Sequence, residues 1–134
     1  MQPIHTDEFF HDGRGPEIHY VHWAQNGALL QAIDYFNPHA VHESSSLKHV
    51  LIVKPQIVMI TPEEAINYSR DGQGMISYKP AAMFDLGRTD WFQSFAQRHL
   101  GHCRHFQMFF YDELLDIIAE DIRCHAGGFK SRAG

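Results

Sequence analysis

Two apolar runs, Glu17 to Gln25 and Ala28 to Phe36, meet at Asn26-Gly27. Asn-Gly tolerates the positive φ angles of a type I′ turn, so the pattern predicts a β-hairpin over 17–36. A two-residue loop pairs Gln25 with Ala28, Trp23 with Leu30, Val21 with Ala32 and His19 with Asp34. One face of this hairpin then holds Trp23, Leu30, Val21 and Ala32. The other holds Ile18, Tyr20, His22, Gln31, Ile33 and Tyr35. Face and register agree, which fixes the start of an antiparallel sheet.

Further strands follow from β-branched and apolar runs. Ala40 to Glu43 reads as a short strand before a serine loop, and Leu47 to Val53 as a buried strand. Lys54-Pro55 interrupts the run, and Gln56 to Ile60 resumes it. Proline cannot donate to a ladder, so the break is a turn, a bulge or an edge. Thr61-Pro62-Glu63-Glu64 carries the cap, the first-turn proline and the acidic partner of a helix start, predicting a helix near 62–70. Short strands are expected at 75–78 and 82–86, a second helix over 89–100 after Thr89, and a strand from His102 to Phe110. Leu114, Leu115, Ile117, Ile118 and Ile122 fit one helix face with Asp112 as cap. The same residues also suit a buried strand after a Tyr111-Asp112 turn, and helix is the favoured reading of 112–124. Residues 1–16 read as an irregular arm anchored by Phe9 and Phe10, and 126–134 as a flexible tail. The expectation is one α+β domain spanning 1–134, mostly antiparallel sheet with added helices.

Charge narrows the partners. The formal net charge is −5 with neutral histidines and the basic residues are scattered, which disfavours nucleic acid and anionic membrane surfaces. No apolar run is long enough for a membrane-spanning helix, and Met1 to His5 has no secretory pattern, so a cytoplasmic location is expected. In that compartment Cys103 and Cys124 are expected as thiols, with a disulfide open to them only under oxidising conditions. The chain is histidine-rich, and protonating all 11 histidines would carry the charge from −5 to +6, so association is expected to respond to pH.

Candidate chemistry centres on those histidines. His99, His102, Cys103 and His105 form the densest cluster, and His39, His42 and Glu43 a second. Imidazole and thiolate are ligands for zinc and related divalent transition metals, although neither spacing matches an established zinc signature. Joined in space, His39, His42, His99, His102 and His105 would furnish a metal-dependent hydrolase or lyase. His19 facing Asp34 would form a His–carboxylate pair. Cys103 beside His105 invites a thiol nucleophile, against the usual inertness of a cysteine in an apolar strand. Arg88 and Thr89, at a strand-to-helix junction, form a candidate anionic-ligand site or simply a helix cap. Gly13-Arg14-Gly15 and Gly72-Gln73-Gly74 lack the spacing of a nucleotide fingerprint. The aromatic content of 13% exceeds what one small core face needs, which points to a subunit interface. The leading reading is a homodimeric small-ligand- or partner-binding domain without a recognisable catalytic motif. The metal enzyme is its rival and a pH-responsive interaction module the third.

Overall fold

The structure is a computed structural model that describes residues 2–6, 17–24, 27–33, 47–67 and 81–126. Within these residues the chain forms β1 (Gln2–Pro3), β2 (Glu17–Ala24), β3 (Gly27–Ile33), β4 (Leu47–Val53) and β5 (Ile57–Pro62). It continues with β6 (Met83–Gly87), a single helical turn α1 (Asp90–Gln93), β7 (Arg104–Phe109), β8 (Glu113–Ala119) and β9 (Asp121–Ala126). Isolated 3-10 turns lie at Glu63–Ala65 and Gln97–His99. A five-stranded sheet has the order β1-β6-β7-β8-β5, and a four-stranded sheet the order β2-β3-β4-β9. Every pairing is antiparallel.

The fold is therefore mostly antiparallel β, and the α+β expectation with helices near 62–70, 89–100 and 112–124 is corrected at each helix. Thr61 and Pro62 extend β5 against Leu114 and Glu113, and the start of the expected first helix is the 3-10 turn Glu63–Ala65, with residues 68–70 outside the described residues. The second begins at its expected cap, Thr89, but stops after four residues and gives way to a 3-10 turn. The third is two strands, β8 and β9.

The β2–β3 hairpin forms, with its register moved by two residues. Ala24 pairs with Gly27, Trp23 with Ala28 and Val21 with Leu30. A bulge between Ile18 and Tyr20 then sets His19 out of the ladder and turns Ile18 to the side of Val21, where both pack against the core. The expected pairing of His19 with Asp34 involves Asp34, which lies outside the described residues. So do the strands expected at 40–43 and 75–78, Phe9 and Phe10, and the tail beyond Ala126.

The interruption at Lys54-Pro55 is the corner of the molecule. β4 runs through it into β5 while β8 runs through Glu120 into β9, so one bent pair of strands serves both sheets. Three residues, Lys54 to Gln56, oppose two, Ala119 and Glu120, which is the stoichiometry of a bulge. Lys54 takes φ 49°, and hydrogen bonds from Glu120 N to Val53 O (3.0 Å) and from Gln56 N to Ile118 O (2.8 Å) carry the ladder around the bend. At the amino-terminal end the sheets are tied by another route. Ile4 N donates to Met83 O (3.0 Å) in one sheet, and His5 Nε2 bonds Ile122 O (2.7 Å) in the other.

Between the sheets lies the main core: Val50 and Ile52 of β4, Met83 of β6, Phe106 and Met108 of β7, Leu115 and Ile117 of β8, and Ile122 of β9. Each such side chain, fully buried, contributes roughly 1.5–3 kcal/mol. The five-stranded sheet is buried on its other face as well. Phe84, Phe109 and Leu114 form one cluster there, while Phe92, Leu100 and Cys103 pack on Ile118 in another. The segment from Gly87 to Cys103 is thus a cover laid over the outer face of β7 and β8. Cys103 belongs to this outer cluster and Cys124 packs toward the inter-sheet core, so the two free thiols lie on opposite faces of the sheet.

Candidate functional site

Four polar residues are buried in the described structure: His49, His105, Gln107 and Asp116. Three of them meet beneath the cover. Gln107 of β7 pairs directly with Asp116 of β8, and His105 lies two residues along β7, so all three occupy the same outer face. Burying them is costly unless each finds partners. His105 Nε2 lies 2.6 Å from Asp116 Oδ1, and Gln107 Nε2 donates to the same oxygen at 3.1 Å. His105 Nδ1 lies 2.7 Å from Thr89 Oγ1. Trp91 closes the site, its ring centroid 4.6 Å from that of His105.

The local sequence explains how Thr89 comes to stand over β7. Asp85 Oδ1 accepts from Gly87 N at 2.9 Å, and Gly87 takes φ 72°, a conformation side-chain-bearing residues rarely adopt. The β6–β7 register shifts at this point, and the chain turns off the sheet edge onto its face. Thr89 then caps α1, its Oγ1 accepting from Phe92 N at 3.3 Å. Arg88 ties the start of the cover to its end by donating from Nη2 to Gly101 O at 2.8 Å, with its guanidinium 5.5 Å above the Phe92 ring. Phe92 and Leu100 are the apolar plugs that hold the cover down.

The direction of the chain follows from the His105 tautomer. With a proton on Nε2 directed at Asp116, Nδ1 is the acceptor. Thr89 Oγ1, which accepts from Phe92 N, would then give its own proton to Nδ1. The result is a continuous relay from Thr89 through His105 to Asp116, with Gln107 steadying the carboxylate. His105 and Asp116 are each only 4% exposed, whereas Thr89 is half-buried at the outer end.

The other residues singled out from sequence are placed differently. His99 and His102 are exposed on the cover, while His105 is buried with both ring nitrogens bonded within the fold. His39 and His42 lie outside the described residues. Among the described residues no group of three His, Cys, Asp or Glu side chains converges to hold a metal. Arg88 and Thr89, the candidate anion site, are engaged by Gly101, Phe92 and His105. Cys103 is buried beside Phe92 and Ile118. Its thiol is held above its ordinary value by burial first and by the Glu120 carboxylate second, with Arg88 opposing, so it is a poor nucleophile.

Asp116 and Gln107 escaped the sequence reading. Each is a lone polar residue inside an apolar run, Leu-Leu-Asp-Ile-Ile and Phe-Gln-Met-Phe. A buried polar residue must find a partner, and that demand was the available signal.

A second feature is exposed rather than buried. β5 is the last strand of its sheet and pairs, among the described residues, with β8 alone. Its sequence is Ile-Val-Met-Ile-Thr-Pro, with Met59 40% and Ile60 58% exposed. Among the described residues no helix is long and apolar enough to cross a membrane. Comparison with family models, curated proteins and solved structures returns no match.

Proposed function

We propose that the protein is a partner-binding β-sandwich whose partner is a second copy of itself, joined through β5. The observation that carries this reading is the uncharged, apolar edge strand Ile57–Pro62 with Met59 and Ile60 exposed. Edge strands are ordinarily protected by charge, proline within the strand or a covering segment. Here the only proline is the final residue, Pro62, and no charged residue falls between Ile57 and Thr61.

A second copy suits this edge because the strand reads almost alike in both directions. Antiparallel pairing centred on Met59 sets Met59 against its own symmetry mate, Val58 against Ile60, and Ile57 against Thr61. The last two are pairs of β-branched residues, the combination that packs well across strands. The contact is isologous and closes after two copies, so it does not propagate into a filament. It would join two five-stranded sheets into one continuous sheet by strand addition.

Light scattering over a concentration series tests the reading. A pairing confined to one edge strand falls among small interfaces, so dissociation on the order of micromolar is expected. Ile60→Lys should give a monomer at all concentrations with an unchanged unfolding midpoint, because Ile60 is exposed in the single chain. A wild-type protein that stays monomeric at several hundred micromolar, or an Ile60→Lys variant that dimerises as the parent does, would overturn it.

A further inference from the structure

We propose that Thr89 is a nucleophilic hydroxyl served by His105 as general base and by Asp116 as a positioning residue, and that it takes acyl groups from small uncharged esters. A threonine hydroxyl is a weak nucleophile until a neighbouring base can remove its proton, and that base needs a third group to hold its ring and tautomer. Both requirements are met here. The 2.7 Å contact between Thr89 Oγ1 and His105 Nδ1 lies within proton-transfer reach. The 2.6 Å contact from Nε2 to Asp116 Oδ1 fixes the ring and would stabilise the imidazolium as it forms. Gln107 holds the same carboxylate oxygen, and the Trp91 ring limits rotation of the imidazole.

A chain of hydrogen bonds serving packing alone needs no accessible end. This one has an orientation in space. Asp116 and His105 are buried, and Thr89, set on the turn after Gly87, is the one member of the three that is half-buried rather than buried. The substrate class follows from the flanking charges. Arg88 is engaged by the Gly101 carbonyl, and Asp90 stands on the other side of Thr89, so no single sign of charge is favoured.

The chemistry balances with water as the second reactant. Nδ1 takes the Oγ1 proton while Oγ1 forms a bond to the ester carbonyl carbon. The bond from that carbon to the leaving oxygen breaks, and the leaving group receives the proton from Nδ1. Water then attacks the acyl-threonine, giving a proton to Nδ1. The bond to Oγ1 breaks and Oγ1 recovers that proton. The products are a carboxylic acid and an alcohol, and no redox change occurs.

The probe is 4-nitrophenyl acetate, followed by nitrophenolate release and by peptide mapping of the acetylated protein. The wild-type chain should carry its acetyl adduct on Thr89 at early times and turn over more ester than one equivalent. Thr89→Ser should retain both signals. Thr89→Val should lose the adduct, and both Thr89→Val and His105→Gln should slow ester cleavage about 100-fold or more, the usual contribution of a positioned base. Asp116→Asn should lower kcat with little change in KM, which loss of packing alone would not produce. Absence of acetylation at Thr89 in the wild-type protein overturns the proposal without relying on any variant. So does a folded Thr89→Val that cleaves the ester at the wild-type rate.

Discussion

His99 and His105 stand six residues apart in the sequence, yet one is an exposed side chain and the other is clamped between a threonine and an aspartate. What separates them is tertiary. Asp116 arrives from the neighbouring strand and Thr89 from the cover, and neither pairing has a local signature. The histidine cluster was legible as a concentration of ligating groups, whereas its division between surface and interior depended on strand pairing. Cys103 shows the same dependence, since the sequence marks a thiol and burial decides its reactivity. Its raised proton affinity gives a pH signature. Above about pH 8.5, the ordinary thiol value, the unfolded chain loses this proton while the folded chain keeps it. The unfolded state then binds fewer protons, so stability falls as pH rises through that window and is unaffected by this group below it. Denaturation at a series of pH values from about 8 to 10 should show a steeper decline for the wild type than for Cys103→Ala. Equal slopes would remove the assignment. In the same samples a thiol reagent should label Cys103 only on unfolding, because the residue is buried.

At the scale of elements most strands were legible, including β7, which is buried on both faces, whereas β8 and β9 were read as one helix. The hairpin after Glu17 formed where alternation placed its strands, but Gly27 joined the strand opposite Ala24, which moved the register, and the bulge at His19 left no mark in the sequence. β8 reads Glu-Leu-Leu-Asp-Ile-Ile-Ala, with both faces covered, so the period of two vanishes and helical spacing appears by coincidence. The capping signal at Thr61 to Glu64 lost for a different reason. A side-chain cap contributes about 1 kcal/mol, which is outweighed by extending β5 along β8 through Thr61 and Pro62. Lys54 makes the corner testable. At φ 49° a β-branched side chain is strained and an asparagine is tolerated. Lys54→Val is expected to cost about 1–2 kcal/mol in urea denaturation. Lys54→Asn should lose little, since the Lys54 side chain is 56% exposed and its 3.7 Å contact with Glu120 is a surface ion pair. Equal destabilisation by both substitutions would show that lysine, rather than the backbone conformation, holds the bend.

The two sheets share strands, and this governs how the whole molecule should unfold. β4–β5 and β8–β9 are bent pairs that pass from one sheet into the other, and their side chains Val50, Ile52, Leu115, Ile117 and Ile122 fill one core. Removing either sheet from the other would break both pairs at the corner and open that core on both sides, so neither sheet has an independent unfolding route. The tryptophans report on the two halves. Trp23 lies on β2 in the four-stranded sheet, and Trp91 lies in the cover over the five-stranded sheet. In Trp91→Phe the remaining fluorescence follows the first half, and in Trp23→Phe it follows the second. Within each variant, fluorescence and far-ultraviolet circular dichroism are expected to give one denaturant midpoint, as cooperative single domains do. Leu115→Ala, which opens a cavity in the shared core, should lower both reporters together by about 2–5 kcal/mol. A midpoint for Trp91 well below that of circular dichroism would mean that the cover detaches first. In that case the Thr89–His105–Asp116 relay would be dismantled before the sandwich that carries it, because Thr89 belongs to the cover while His105 and Asp116 belong to the sheet.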